Sequence, residues 1–302
     1  MGKASRKKRQ SAADRSGTSA RRAPFVARPF EGLADETEWV GMREILPAAS
    51  AHVTVVVPEG TVAGGLDVPA GEQQVRLVTV LPAAMPAVHR DSGEVLVALQ
   101  SRTSSGDASR DVAQSILTAL ASEAGSSVNS VRPATEDTPR LQDLLAEGQR
   151  LEVEVYDDFG FWLGEDATAE QKAALEEMND TAVPMARVEG SDSAFWCLMS
   201  GRAYIRWILA QDEDTALQAL ARLAAADEED LGEGTELIGA FRACGLLVPV
   251  IEVPADSTAA DHGQALAALQ ERYDAALAQE EPLTEAQRRA RSALVARQVT
   301  LR

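Results

Sequence analysis

The apolar positions of this chain follow helical spacing in some stretches and strand alternation in others. From Asp35 the residues Trp39, Met42 and Leu46 fall on one helical face, with Asp35 and Glu38 as an N-cap and N3 pair and Pro47 as the stop. β-rich segments follow at 53–57, 75–81 and 94–99, separated by Gly/Pro-rich loops. Residues 109–122 form an amphipathic pattern with Val112, Ile116, Leu117 and Leu120 on one side. A short helix is expected over 139–146 and an alternating strand over 151–156.

The second half repeats this order. A helix is expected at 169–178, strands at 185–189, 194–199 and 203–209, and a helix at 214–225 carrying Leu217, Leu220 and Leu223. A short helix over 236–243 then leads to a strand at 246–250. The expected fold class is α+β, with two similar α-βββ-α-α-β modules packed together. Two helices close the chain, with Asp261 and Gln264, then Thr284 and Gln287, as capping pairs. The expected domains are a disordered basic tail over 1–23, a first module over 24–165 and a second over 166–302.

Residues 1–23 break the pattern, having no large apolar residue after Met1, so they cannot bury enough surface to offset ordering entropy. Beyond them, two Pro-Phe pairs, Pro24-Phe25 and Pro29-Phe30, favour an extended path whose rings dock onto the body.

Charge sharpens this division. The formal net charge is −18, yet residues 1–30 hold nine Lys/Arg against Asp14 alone, and residues 284–302 hold five Arg against Glu285. The ends are therefore +8 and +4, and the intervening body carries −30. Lys3, Arg6, Lys7, Lys8, Arg9, Arg15, Arg21 and Arg22 are candidate contacts to a polyanion such as RNA, the ribosome or anionic lipid. No aromatic residue precedes Phe25, so nothing stacks on bases, and binding is expected to be non-specific and salt-sensitive. Two alternatives stand beside this: a solvated extension, or a tail folded back on the acidic body. Arg288, Arg289, Arg291 and Arg297 make a secondary basic patch.

Catalytic templates fail. His89-Arg90-Asp91 and Asp158-Phe159-Gly160 resemble kinase tripeptides, but the position five after Asp91 is Leu96 instead of Asn. The only lysines upstream are in the tail, and no Gly-rich phosphate loop precedes them. A turn over Asp91-Ser92-Gly93 explains His89 better. There is no Gly-Lys-Ser/Thr and no Gly-x-Ser-x-Gly. The stretch Thr103-Ser104-Ser105-Gly106-Asp107 reads as a capping turn, since Asp107 already brings negative charge there. His52, His89 and His262 are scattered away from ligand spacing, and Cys197 and Cys244 lie in apolar surroundings that suit buried reduced thiols. No catalytic residue, metal site or cofactor is assigned. The aromatic run 156–162 reads as core, with a partner-facing patch as the alternative. The apolar runs are too short for a membrane span and no apolar stretch follows the basic start, so a cytoplasmic location is expected.

Several phrases carry a resemblance: Met1-Gly2-Lys3 with Ser5-Arg6-Lys7-Lys8, the segment from Pro24 to Leu33, Ser104-Ser105-Gly106-Asp107, and Arg297-Gln298-Val299-Thr300-Leu301-Arg302. Over nearly its whole length the chain resembles an actinobacterial family catalogued as a domain of unknown function. The resemblance implies a soluble bacterial protein and brings no activity or catalytic residue with it. The leading expectation is a non-catalytic binding or adaptor protein whose tail meets a polyanion. The alternatives are an enzyme with its site in the cleft between modules, or a protein-interaction module that uses its acidic face.

Overall fold

The structure, a computed structural model, describes residues 21–102, 104–164 and 167–297, without the side chains of Gln171 and Ala174. In β1 (Ala49–Val57) every second residue from Ala49 to Val57 is buried, while His52 and Val56 point to solvent, as alternation requires of a half-covered strand. β1 pairs with β4 (Gly71–Val78), and β4 pairs in parallel with β6 (Val95–Ala98). β5 (Ala87–His89), β7 (Ser126–Val128) and β8 (Glu154–Val155) complete a six-stranded sheet in the order β7-β5-β6-β4-β1-β8. A minute hairpin, β2 (Val62–Ala63) with β3 (Leu66–Asp67), stands apart.

β6 is buried on both faces. One face meets α2 (Ala108–Ala121), which buries Val112, Ile116, Leu117 and Leu120 as the periodicity predicts. The other is covered by the aromatic run. Phe159 and Phe161 pack against Val78, Leu81, Leu96 and Ala98, Trp162 stacks on Phe159 at 4.6 Å between centroids, and Trp162 Nε1 donates to the Val80 carbonyl (2.7 Å). These rings are core.

The second sheet is antiparallel throughout, in the order β12-β13-β11-β10-β9. Its strands are β9 (Met185–Arg187), β10 (Ala194–Met199), β11 (Arg202–Trp207), β12 (Glu236–Ala243) and β13 (Leu246–Val253). One face packs against α5 (Glu213–Ala224), α6 (Gly263–Leu277) and α7 (Glu285–Ala296), with Trp207 edge-on to Tyr273 at 5.1 Å. α4 (Ala169–Asn179) precedes the sheet, and α3 (Leu141–Leu144) is a single turn in the first half. No helix among the described residues is long and apolar enough to cross a membrane.

The second half departs from the expected element order at 236–243, which is strand and not helix. Glu, Leu and Ala favour a helix there, but Cys244 and Gly245 both adopt positive φ (45° and 84°), the conformation of a tight two-residue hairpin turn. That turn pairs 236–243 with β13 and overrides the local propensity. Two expected caps also differ. Asp35 is itself left-handed (φ 57°), and its carboxylate accepts from Leu151 N and Arg150 instead of capping. Asp261 closes a capping box with Thr258 one turn before α6 begins. The strand expected over 151–156 reduces to Glu154–Val155.

The two halves meet on α1 (Glu36–Val40), which widens into a π turn (Gly41–Ile45). A Cβ on Gly41 would lie 3.3 Å from the Phe195 ring of β10, so any larger residue would have to push that ring by a few tenths of an ångström. Glu38 pairs with Arg187 of β9 (2.7 Å), whose guanidinium lies 5.0 Å from the Phe195 ring centroid. Burial pushes the Glu38 carboxyl above its ordinary range, against the pull of Arg187. One buried cluster thus runs from Val53, Leu77 and Ile116 through Trp39 and Met42 to Phe195, Phe241 and Val248.

Residues 22–31 tie this junction down. The Val26 amide donates to the Gly106 carbonyl (2.9 Å). Arg28 grips Glu36 through two 2.7 Å hydrogen bonds and donates to the Ala210 carbonyl (2.8 Å). The Pro29 carbonyl accepts from Arg140 (2.6 Å) and Gln142 (3.0 Å). Gly245, at the β12–β13 turn, lies beneath them, where a Cβ would fall 2.8 Å from the Ala27 carbonyl oxygen. Of the two phenylalanines expected to dock, Phe30 is fully buried and stacks on Trp39 (5.8 Å), whereas Phe25 is 80% exposed. Phe30→Ala should cost about 3–5 kcal/mol of stability, as large core truncations do. Urea denaturation checks this, with Phe25→Ala as the near-neutral control.

Candidate functional site

The expected polyanion contacts Lys3, Arg6, Lys7, Lys8, Arg9 and Arg15 lie outside the described residues. Arg21 and Arg22 are described and form the root of the tail. Arg22 bridges to Thr135, and its guanidinium donates to the carbonyls of Ser104 (2.7 Å) and Ser105 (3.0 Å). Arg21 is exposed, and its carbonyl accepts from Glu136 N (3.1 Å). The root is thus fixed to the body at one point, with Arg22 engaged in holding it there.

The Ser104–Asp107 phrase is the anchor for that root. Asp107 is 1% exposed and caps α2 by accepting from Ser109 N (3.1 Å). Arg110 and Arg140 approach its other oxygen, each at 3.3 Å. Asp111 accepts from Ser105 N (3.0 Å), closing the turn. Beside the root lies a hollow of about 340 Å³ with Gln114, Thr135, Thr138, Asp137 and Asp143 on its walls. Two acids, Asp137 and Asp143, therefore stand beside the root.

The secondary basic patch is spread along α7 and mostly partnered. Arg291 reaches Asp214 of α5 (2.5 Å), Arg289 pairs with Glu285 one turn back (3.3 Å), and Arg288 donates to the Leu283 carbonyl. The Arg297 carbonyl lies against Gly239 of β12.

The histidines are separated. His89 Nδ1 is 2.9 Å from the Ser122 carbonyl, and His262 Nε2 is 2.8 Å from Ser257 Oγ. Burial holds the His262 imidazole below its ordinary value, with Asp261 opposing. His52 faces an open hollow with Gln149, Glu152 and Glu154. Arg90, from the kinase-like tripeptide, binds the carbonyls of Phe161 and Trp162 (both 3.1 Å) and so secures the aromatic run. No group of three or more His, Cys, Asp or Glu is placed to hold a metal among the described residues.

Sequence reasoning did not single out an open stretch on one face of the second sheet. The face of the second sheet turned away from its helices is only partly covered by α1. The remainder forms a cavity of about 320 Å³ lined by Met199, Ser200, Tyr204, Arg206, Ile238 and Phe241. A second cavity of about 190 Å³, edged by Glu44, Pro47, Gln100 and Val183, shares Met199 and Arg206 with it. Arg206 donates to Met199 Sδ (2.8 Å), and no carboxylate pairs with it among the described residues. Strand alternation places these residues on one face, but only the three-dimensional packing leaves that face open.

The cysteines lie close by, Cys197 buried as expected and Cys244, at the β12–β13 turn, only half-buried. Burial raises the Cys197 thiol, partly offset by Arg206. Cys244 is pushed up to about 12, by burial first and then by the negative Glu44, to which its thiol donates (3.5 Å).

The geometry defines a mixed α+β protein with Arg22 fastened to its body and an open groove on its second sheet. The family model described as "Family of unknown function (DUF5926)" matches residues 29–302, nearly the whole chain, and the protein belongs to that family. No curated protein and no solved structure matches it.

Since the thiolate is the reactive form, neither cysteine should react with a disulfide reagent at pH 8 in the native protein, and both should react in denaturant. A fast native phase in the titration would contradict the burial described.

Proposed function

We propose that this is a non-catalytic binding or adaptor protein whose basic N-terminal residues contact RNA, the ribosome or another polyanion, while the acidic body stays clear of it. The observation that carries this reading is the tail root. Arg22 and Val26 fasten the chain to the Ser104–Gly106 turn, so the positive charge ahead of Arg21 issues from a fixed point. The α7 arginines are largely occupied by the protein's own acids and carbonyls, so the densest run of basic residues, that of the tail, is the cationic element we assign to a polyanion. The acids at its exit, Asp137 and Asp143, compete for the tail and set a threshold that a denser polyanion must exceed. The full chain should co-sediment with RNA at low salt, and removal of residues 1–20 should abolish this. With six tail cations engaged, log K should fall with log[salt] at a slope of about −4. Equal sedimentation with and without the tail would contradict the reading.

The groove on the second sheet favours a second reading, ligand recognition on that open face. Its apolar walls and unpaired Arg206 suit a ligand with an apolar body and one anionic group. The anionic dye 8-anilinonaphthalene-1-sulfonate should gain fluorescence with the native protein and lose most of that gain with Arg206→Met. An equal gain from both proteins would sink this second reading.

A further inference from the structure

A methionine sulfur is oxidised where solvent reaches it and is spared where the core covers it. Met42 is fully buried and Met185 nearly so, whereas Met199 is 37% exposed. Met178 of α4 is as exposed, at 36%, but lines neither cavity of the groove. Met199 lines both. It ends β10, and the two residues after it, Ser200 and Gly201, turn at positive φ (52° and 77°).

The Met199 sulfur is also the atom that holds the groove's cation, since Arg206 donates to it at 2.8 Å. A thioether is a weak acceptor, so this bond satisfies the guanidinium poorly. Oxidation would replace it with a sulfoxide, a polar group whose oxygen is a much stronger acceptor. Two arginines stand near that position. Arg202 lies directly opposite Met199 across the turn, but Glu252 already holds it. Arg206 has no carboxylate partner among the described residues and is therefore the donor for the new oxygen.

We propose that Met199 is an oxidation site in the wall of the groove, where a peroxide converts the thioether to a sulfoxide whose oxygen then takes up Arg206. The sulfur lone pair attacks one peroxide oxygen and the O–O bond breaks. The departing hydroxide takes the proton of the transferred oxygen and leaves as water, so the thioether is oxidised and the peroxide reduced. With Arg206 engaged and a polar group in the apolar wall, the groove is closed to an anionic ligand. That consequence rests on the ligand reading of the groove, whereas the oxidation site does not. Limiting hydrogen peroxide on the full chain, followed by peptide mapping, should oxidise Met199 at least about tenfold faster than Met42 and Met185. Phenylglyoxal, which attacks free guanidinium groups, should then modify Arg206 several-fold more slowly than before peroxide. In Met199→Leu the same treatment should leave that rate where it was, and Met178→Leu should respond as the native chain does. Met199 oxidising no faster than the buried methionines, or Arg206 reacting equally before and after peroxide, would overturn the proposal. The fluorescence gain of 8-anilinonaphthalene-1-sulfonate should also fall on oxidation. A gain absent before peroxide, or unmoved while Arg206 is shielded, counts against the ligand reading alone, and the mapped rates still decide the oxidation site.

Discussion

The structure depends on how closely α1 approaches the second sheet. Gly41 brings the helix backbone onto the Phe195 ring, and the π turn that follows sets Met42, Ile45 and Leu46 into the same cluster. Two sheets from different parts of the chain therefore share one core instead of touching across a polar interface. Close packing of this kind is unforgiving, because interiors hold few voids and transmit displacement. The residues that secure it converge on the same place. Phe30 stacks on Trp39, Glu38 reaches across to Arg187, and Arg28 binds both Glu36 and the Ala210 carbonyl.

This constraint also explains where charge is available. Inside the body, arginines serve mainly as structural donors. Arg22, Arg90, Arg140 and Arg222 all bind backbone carbonyls, satisfying loop ends that would otherwise be left unpaired. Arg187, Arg242 and Arg291 meet carboxylates. A positive partner surface on the body is thereby largely used up, and the body presents its acids. The net charge of −18 is that of the whole chain, the body itself carries −30, and the basic N-terminal residues are those through which we propose the protein meets a polyanion.

Much of the fold was legible wherever one periodicity dominated. α2 and α5 follow from their leucine, isoleucine and valine spacing, the last helix from its Thr284–Gln287 capping pair, and β1 in part from the β-rich run 53–57. The aromatic run 156–162 was readable as core from the density of its rings. The misreadings share a physical cause, which is that the deciding partner is remote in sequence. Residues 236–243 have helix-favouring composition, and the Cys244-Gly245 turn that makes them a strand carries a residue uncommon at such a position. Asp35 looks like a cap and serves Leu151 and Arg150 instead. The groove around Arg206 was invisible because it is an uncovered region, and no local pattern reports which part of a sheet face its neighbour fails to cover. The tail was legible as charge, and its root became legible only through the carbonyls of Ser104 and Ser105.

The central claim is that both sheets stand on one shared core. Labelling the tryptophans with fluorine and following each resonance through a urea titration tests it directly. Trp39 reports the junction, Trp162 the covered face of the first sheet, and Trp207 the helix-backed face of the second. The account predicts that all three lose their native signals at the same urea concentration. A native Trp207 signal persisting after those of Trp39 and Trp162 have gone would contradict it.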